Sequence, residues 1–279
     1  MTPARGRPKR SLGQNFLVDP NYQRKVVASV PFADVERVIE IGPGRGAITE
    51  GLLLEASALV VIEKDPELAA LWLARAKDEP RLVAVEGDVL HHPISTFGVP
   101  SESAVVGNIP YNLTTPILFH LLERPRPRVV IVMVQREVAQ RLVADPGTAQ
   151  YGALSVGVQS VATVEQLFRV PSTAFRPRPR VESAVLRVLP HRPAVLDEAD
   201  EAWTRRLTRA AFGWRRKQLG KILRDHTDIG LGIRAVAVLE RMGVSSATRP
   251  EALTPTQFVQ MARAIRSEIS DSSRTSTPD

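Results

Sequence analysis

The sequence predicts an α/β domain built on a mostly parallel sheet, followed by a small all-helical domain. Three observations carry this. Short β-branched runs alternate with helical spacings over residues 37–145, the pattern of right-handed crossovers onto one sheet. After Pro193 the pattern changes, and every remaining apolar segment has helical periodicity. The 279 residues, 43% hydrophobic, suffice for one large core and one small one.

The elements follow in order. Residues 1–11 begin polar and basic, with Arg5, Arg7, Lys9 and Arg10, and read as a flexible arm. "DPNYQRKVVASVPF" (19–32) opens on a cap-like Asp19-Pro20 and predicts a helix. "RVIEIG" (37–42) is a buried strand and "AITEGLLLEA" (47–56) a helix. "ALVVIEKD" (58–65) is strand, and "PELAALWLARAKD" (66–78) is helix with Pro66 in its first turn. "RLVAVEGD" (81–88) and "SAVVGNIP" (103–110) are strands, "TPILFHLLE" (115–123) a helix, "RVVIVMVQ" (128–135) a strand and "REVAQRLVAD" (136–145) a helix. Residues 153–170 and 182–190 are β-rich and predict an antiparallel edge pair. Residues 201–225, 233–243 and 254–269 are helical, and 270–279, "SDSSRTSTPD", reads as a disordered tail.

Composition excludes several classes of chemistry. There is no cysteine, so disulfides, thiolate zinc sites and cysteine nucleophiles are ruled out. The five histidines (91, 92, 120, 191 and 226) have no metal-ligand spacing, and no metal is expected. The start lacks the apolar stretch of a signal peptide, and no run approaches the ~20 residues of a membrane span, so a cytoplasmic protein is expected. The net charge of +7 favours a polyanionic partner, most simply nucleic acid.

Candidate binding residues cluster at strand tips. "EIGPGRG" (40–46) joins a strand to a helix, and its glycines let the backbone turn sharply beside a ligand. The Gly42-x-Gly44-x-Gly46 spacing is not the dinucleotide fingerprint, and no Walker Lys-Ser/Thr follows. Glu63, at the tip of the second strand, is placed to accept both hydroxyls of a ribose. Asp88 ends the third and could accept from the exocyclic amine of an adenine. Each acid alone is ordinary turn chemistry. Together they point to an adenosine-containing ligand across the switch point of the sheet.

"EIGPGRGAIT", "VVIEKDPELA", "EGDVL" and "VVGNIPYN", in this order and preceded by "LGQNFLVD" (12–19), resemble the S-adenosylmethionine-dependent RNA adenine N6-methyltransferases. "NIPYNLTTPILFHLL", "AQYGALSV", "FRPRPRVESAVLRVLP" and "RAAFGWRRKQLGKIL" look more like the small-subunit ribosomal RNA dimethyltransferases (the KsgA type) than the Erm-type large-subunit enzymes of macrolide resistance. The resemblance runs from about residue 12 to about residue 265. It departs at Arg45, Arg176, Arg178, Ile109 and Gly213-Trp214, none of which removes a motif-matching polar residue. It implies a Rossmann-like methyltransferase domain, S-adenosyl-L-methionine as cofactor, and cofactor contacts at Asn15, Leu17, Gly42, Glu63, Asp88 and Asn108. For Asn15 and Leu17 nothing local gives that signal.

The same motif explains "NIPY". An adenine amine is a poor nucleophile, because its lone pair is delocalised into the ring. It must be aligned with the methyl donor, have its N–H groups held, and leave its stack. The Asn108 side-chain oxygen and the carbonyl before or at Pro110 are the expected acceptors. Tyr111 is the expected stacking ring, and Phe175 closes the other face of the base, with support from the resemblance.

From Trp203 to Arg224 there are eight basic residues and no acid. So one-sided a run suits a phosphate backbone, and Arg205, Arg209, Arg215, Arg216, Lys217 and Lys221 are the expected RNA contacts. Arg205, Arg209 and Arg216 are expected near one helical face. The arm and Arg176, Arg178 and Arg180 extend the positive surface. The expected organisation is an arm at 1–11, a catalytic domain at 12–192, a helical RNA-binding domain at 193–269 and a tail at 270–279. The resemblance implies as substrate two adjacent adenosines in the 3′-terminal hairpin loop of small-subunit RNA, within an assembling subunit; monomer is the default state. The alternatives are an Erm-type large-subunit target and a non-catalytic assembly factor.

Overall fold

A computed structural model describes residues 14–214, 216–229 and 231–274. The basic arm and Arg215 lie outside the described residues. The chain divides into two compact units, 1–139 with 163–190, and 140–162 with 191–279.

The first unit is the α/β one. Its strands are β1 (Phe16–Leu17), β2 (Arg37–Ile41), β3 (Leu59–Glu63), β4 (Leu82–Glu86), β5 (Ser103–Asn108), β6 (Val129–Gln135), β7 (Ala162–Val170), β8 (Phe175–Arg176) and β9 (Ser183–Pro190). The helices between them are α1 (Pro20–Ala28), α2 (Thr49–Glu55), α3 (Pro66–Ala76), α4 (Thr114–Leu121) and α5 (Arg136–Leu142), the last crossing the division between the units. Seven strands form one sheet in the order β4-β3-β2-β5-β6-β9-β7. The run from β4 to β6 is parallel, and β9 joins β6 antiparallel. β2, β3, β5 and β6 are apolar along nearly their whole length because helices cover both faces of such a sheet. The chain moves outward from β2 to β4 and returns to β5 on the other side of β2. That reversal opens a crevice beyond the C-terminal ends of β2 and β5.

Sequence signals place the helices. Asp19 and Asp65 each precede a proline, and each carboxylate accepts the N–H two residues on, capping α1 and α3. The two-residue strands β1 and β8 pair antiparallel, Phe16 with Arg176 and Leu17 with Phe175.

The second unit is helical: α6 (Ala153–Gln159), α7 (Glu198–Gly213), α8 (Leu219–Asp225), α9 (Arg234–Arg241) and α10 (Pro255–Arg274). Its apolar core includes Tyr151, Leu207, Leu223, Val238, Phe258 and Ile265. Phe212 stacks on Phe258 with ring centroids 5.7 Å apart.

Four expectations change. Residues 153–159 form α6, not a strand. All of Leu154–Val158 is buried, so no helical stripe marks the sequence, and the Ser155 hydroxyl ties the first turn to Gly152 N and the Arg141 carbonyl. The division of the chain differs from 12–192 and 193–269: residues 140–162 cluster with the C-terminal helices, where Tyr151 donates to the Leu253 carbonyl at 2.8 Å. The helix expected at 201–225 breaks after Gly213. Helix α10 runs into the expected tail as far as Arg274, and 275–279 lie outside the described residues.

A charged clasp joins α7 to α10. Asp200 is buried and receives Arg263 at 2.6 Å and Arg266 at 2.8 Å, while Asp197 caps α7 and also meets Arg266. Removing the charge leaves two half-exposed guanidinium groups that water can recover, so the cost stays moderate. Asp200→Asn is expected to lower unfolding free energy by about 2 kcal/mol, measured by urea denaturation.

Candidate active site

A cavity of about 240 Å³ lies at the C-terminal ends of β2 to β5. It is lined by Asn15, Leu17, Gly42, Glu63, Asp88, Asn108, Ile109, Pro110 and Tyr111, which the sequence names, and by Gln14, Glu40, Lys64 and others, which it does not single out as site residues.

The glycine turn after β2 is built around one carboxylate. Glu63 is buried, and its two oxygens accept from Gly44 N and Asp65 N, each at 2.9 Å. Trp72 Nε1 donates to the Gly44 carbonyl at 3.0 Å. Gly44 has φ +56°, a conformation that favours glycine, and a Cβ there would sit tightly, 3.1 Å from the Phe16 ring. Burial raises the Glu63 carboxyl, and the N–H groups of Asp65 and Gly44 oppose that without cancelling it. Asp88 sits at the neighbouring tip, bonded to Lys64 Nζ at 2.7 Å and to Leu90 N at 3.1 Å. Partial burial works to raise the Asp88 carboxyl, but Lys64 and the Leu90 N–H outweigh it and hold the group below the usual carboxylate range.

Glu40, near the end of β2, is a buried carboxyl that the sequence does not single out. Its Oε2 takes no hydrogen bond among the described residues, and the residue lines the cavity. Burial pushes its pKa up to about 8, with the Thr49 hydroxyl working against burial and the charge of Glu63 adding to it. The folded state therefore binds a proton that the unfolded state releases near 4.5. This stabilisation is complete below pH 4.5 and is lost as pH rises through about 8. Glu40→Gln is expected to flatten that decline, which in the parent is on the order of 1 kcal/mol per pH unit. Urea titrations of both proteins across this range measure the difference.

The "NIPY" tip is held from two sides. Asn108 Nδ2 donates to the Asn15 carbonyl at 2.9 Å. A carbonyl can only accept, so the amide's NH₂ faces Asn15 and its oxygen is left for other donors. Tyr111 OH bonds Ser183 Oγ at 2.8 Å. Burial raises the phenol, and the Ser183 hydroxyl works against it. The Pro110 carbonyl is committed to the following turn, accepting Leu113 N at 2.9 Å and Thr114 Oγ1 at 3.4 Å. The Ile109 carbonyl takes no bond among the described residues. The acceptor expected at or before Pro110 is therefore better met by Ile109.

Phe175 does not line the cavity. It is fully buried in the apolar core with Leu17, Val170 and Ala174, fixed by the β1–β8 ladder, so the stacking expected of it is not available in this arrangement. Its contact is with the strand that carries Leu17.

Of the expected RNA contacts, Arg209 is exposed on α7, Arg216 and Lys217 are exposed in the turn after it, and Lys221 is exposed on α8. The break after Gly213 takes Arg216 off the helical face it was expected to share. Arg205 is half-buried and faces Glu201 at 3.6 Å, which leaves its charge partly matched. Among the described residues no cluster of three or more metal-ligating side chains occurs, and no helix is long and apolar enough to cross a membrane.

The family model for "Ribosomal RNA adenine dimethylase" matches residues 6–266. "Ribosomal RNA small subunit methyltransferase A" of Aromatoleum aromaticum is 41% identical over 260 residues, 93% of this chain and 94% of that one. A dimethyladenosine transferase from Plasmodium falciparum shares the fold with a TM-score of 0.80 at 23% identity, covering 91% of this chain and 98% of that one. The 23S rRNA methyltransferase ErmE does so with a TM-score of 0.70 at 24% identity, covering 90% and 100%. With a family model spanning nearly the whole chain and a relative above 40% identity, the chain belongs to the ribosomal RNA adenine dimethylase family.

Proposed function

We propose that the protein transfers methyl groups from S-adenosyl-L-methionine to N6 of two adjacent adenosines in the 3′-terminal hairpin loop of small-subunit ribosomal RNA. One observation carries the reading: Asn108 and Ile109 line the same cavity as Glu63 and Asp88.

The lining fits the cofactor. Glu63 offers acceptor lone pairs to ribose hydroxyls, and Asp88 offers them to an adenine amine. Leu17, Ile41 and Val89 give apolar walls, and Glu40 adds a buried carboxyl oxygen without a described partner. When bound, the cofactor supplies an electrophilic methyl on a sulfonium. The chain's own residues do the rest. Asn108 Oδ1 and the Ile109 carbonyl accept the two N–H bonds of the target amine, which turns its lone pair toward the methyl. Tyr111 stacks on the extruded base and keeps its plane fixed. A neutral amide suffices, because the methylated nitrogen is acidic and gives its proton to solvent. Phe175 supports the Leu17 strand from the core.

Arg209, Arg216, Lys217 and Lys221 supply phosphate contacts, with Arg205 and Arg215 kept as further candidates. RNA of this kind is read through shape and backbone, with unpaired bases as targets. The partner is ribosomal RNA in an assembling small subunit, met in the cytoplasm by a monomer. The 41% identity to a small-subunit methyltransferase over 93% of this chain favours this target.

Mass spectrometry of ribosomal RNA from cells with and without the protein tests the reading. Dimethyladenosine at two adjacent adenosines of the small-subunit RNA, present only with the protein, supports it. A large-subunit adenosine would move the target to the Erm type. Absence of any methyl difference would leave a non-catalytic assembly factor.

A further inference from the structure

Ser183 is fully buried and opens β9, opposite Gln135 at the end of β6. β6 lies between β5 and β9, so the 2.8 Å bond from Ser183 Oγ to Tyr111 OH spans the end of a strand to reach the tip beyond β5. Nothing in the expected chemistry calls for that hydroxyl. Stacking on a base needs only a ring, and phenylalanine would serve it. A tyrosine ring has two torsions. With its Cβ fixed by the turn at Tyr111–Leu113 and its OH fixed by Ser183, both torsions are set before any substrate arrives.

We propose that Ser183 is a positioning residue for methyl transfer: it holds the Tyr111 ring at the tilt and depth from which an extruded adenine is stacked, with its amine facing Asn108. The inference rests on the adenine-N6 reading above. Ser183 itself touches no substrate. Its effect is on the alignment of the reacting atoms, where small displacements are costly in rate.

The test is single-turnover methyl transfer with radiolabelled S-adenosylmethionine on small subunits from cells lacking the protein, with Ser183→Ala, Tyr111→Phe and the double variant. The amplitude reports how much enzyme is folded and loaded, and the rate constant reports alignment. Ser183→Ala is expected to lower the rate constant on the order of tenfold, the worth of one well-placed hydrogen bond, with cofactor affinity unchanged. Tyr111→Phe deletes the same bond from the other side and is expected to match it. The double variant is expected to be no slower than either single one. A Ser183→Ala rate constant equal to the parent's, or losses that multiply in the double variant, overturns the proposal. If Ser183→Ala does not fold, Tyr111→Phe carries the test, and a parental rate constant there overturns it. If the parent incorporates no label, the adenine-N6 reading itself fails, and that result is distinct from either outcome above.

Discussion

Asn108→Ala is expected to lower the methyl-transfer rate by on the order of 100- to 1,000-fold, the usual loss when one preorganised partner of a developing charge is removed. The side chain does two things at once. Its NH₂ is anchored on the Asn15 carbonyl, and its oxygen is thereby presented to the substrate amine. Alanine removes both. Cofactor affinity is expected to fall less than the rate, because Leu17, Glu63 and Asp88 still line the cavity. Asn108→Asp is the sharper variant. An ionised carboxylate cannot donate to the Asn15 carbonyl, so its two acceptors meet and the anchor is lost. Aspartate is expected to be no better than alanine despite keeping an oxygen. Single-turnover rates and binding of S-adenosylhomocysteine by calorimetry separate the two effects. An aspartate variant with the parental rate would show that the anchor does not matter.

Glu63→Gln is expected to weaken S-adenosylhomocysteine binding on the order of 100-fold, the worth of two charge-assisted hydrogen bonds. The carboxylate already accepts Gly44 N and Asp65 N with one oxygen each. Each oxygen keeps lone-pair capacity for a ribose hydroxyl. An amide turns one of those oxygens into an NH₂ that faces a backbone N–H, donor against donor. The glycine turn then loses one of its ties, so the loss is both direct and through the loop. Calorimetry on the folded variant measures it, and an unchanged dissociation constant would remove Glu63 from the cofactor site.

Most of the α/β unit was legible because buried parallel strands are continuous apolar runs, and two of its helices, α1 and α3, begin on Asp-Pro signals. Gly42, Glu63, Asp88 and Asn108 were legible because they stand where such strands end. Other features left no local signal. The β1–β8 ladder is two residues long, too short for any periodicity. Helix α6 is buried throughout 154–158 and carries two valines, so no amphipathic stripe separates it from a strand. The burial of Phe175 and the commitment of the Pro110 carbonyl to its own turn are tertiary facts that no spacing encodes. Glu40 was hidden in plain view, since a carboxyl within "VIEIG" reads as one polar residue in a strand until its burial is known.

The division of the chain has a consequence for anyone who would take the protein apart. The backbone passes between the two units at 139/140, at 162/163 and at 190/191, so neither unit is one uninterrupted stretch. A fragment ending at residue 192 carries Tyr151 and Val156 without the Leu207, Leu223 and Phe258 that complete their core. A fragment beginning at 193 lacks α6 altogether. The helical unit is thus not a cassette that can be cut out, fused elsewhere or swapped between relatives at a single junction. Grafting it onto another scaffold requires carrying residues 140–162 along as an insertion.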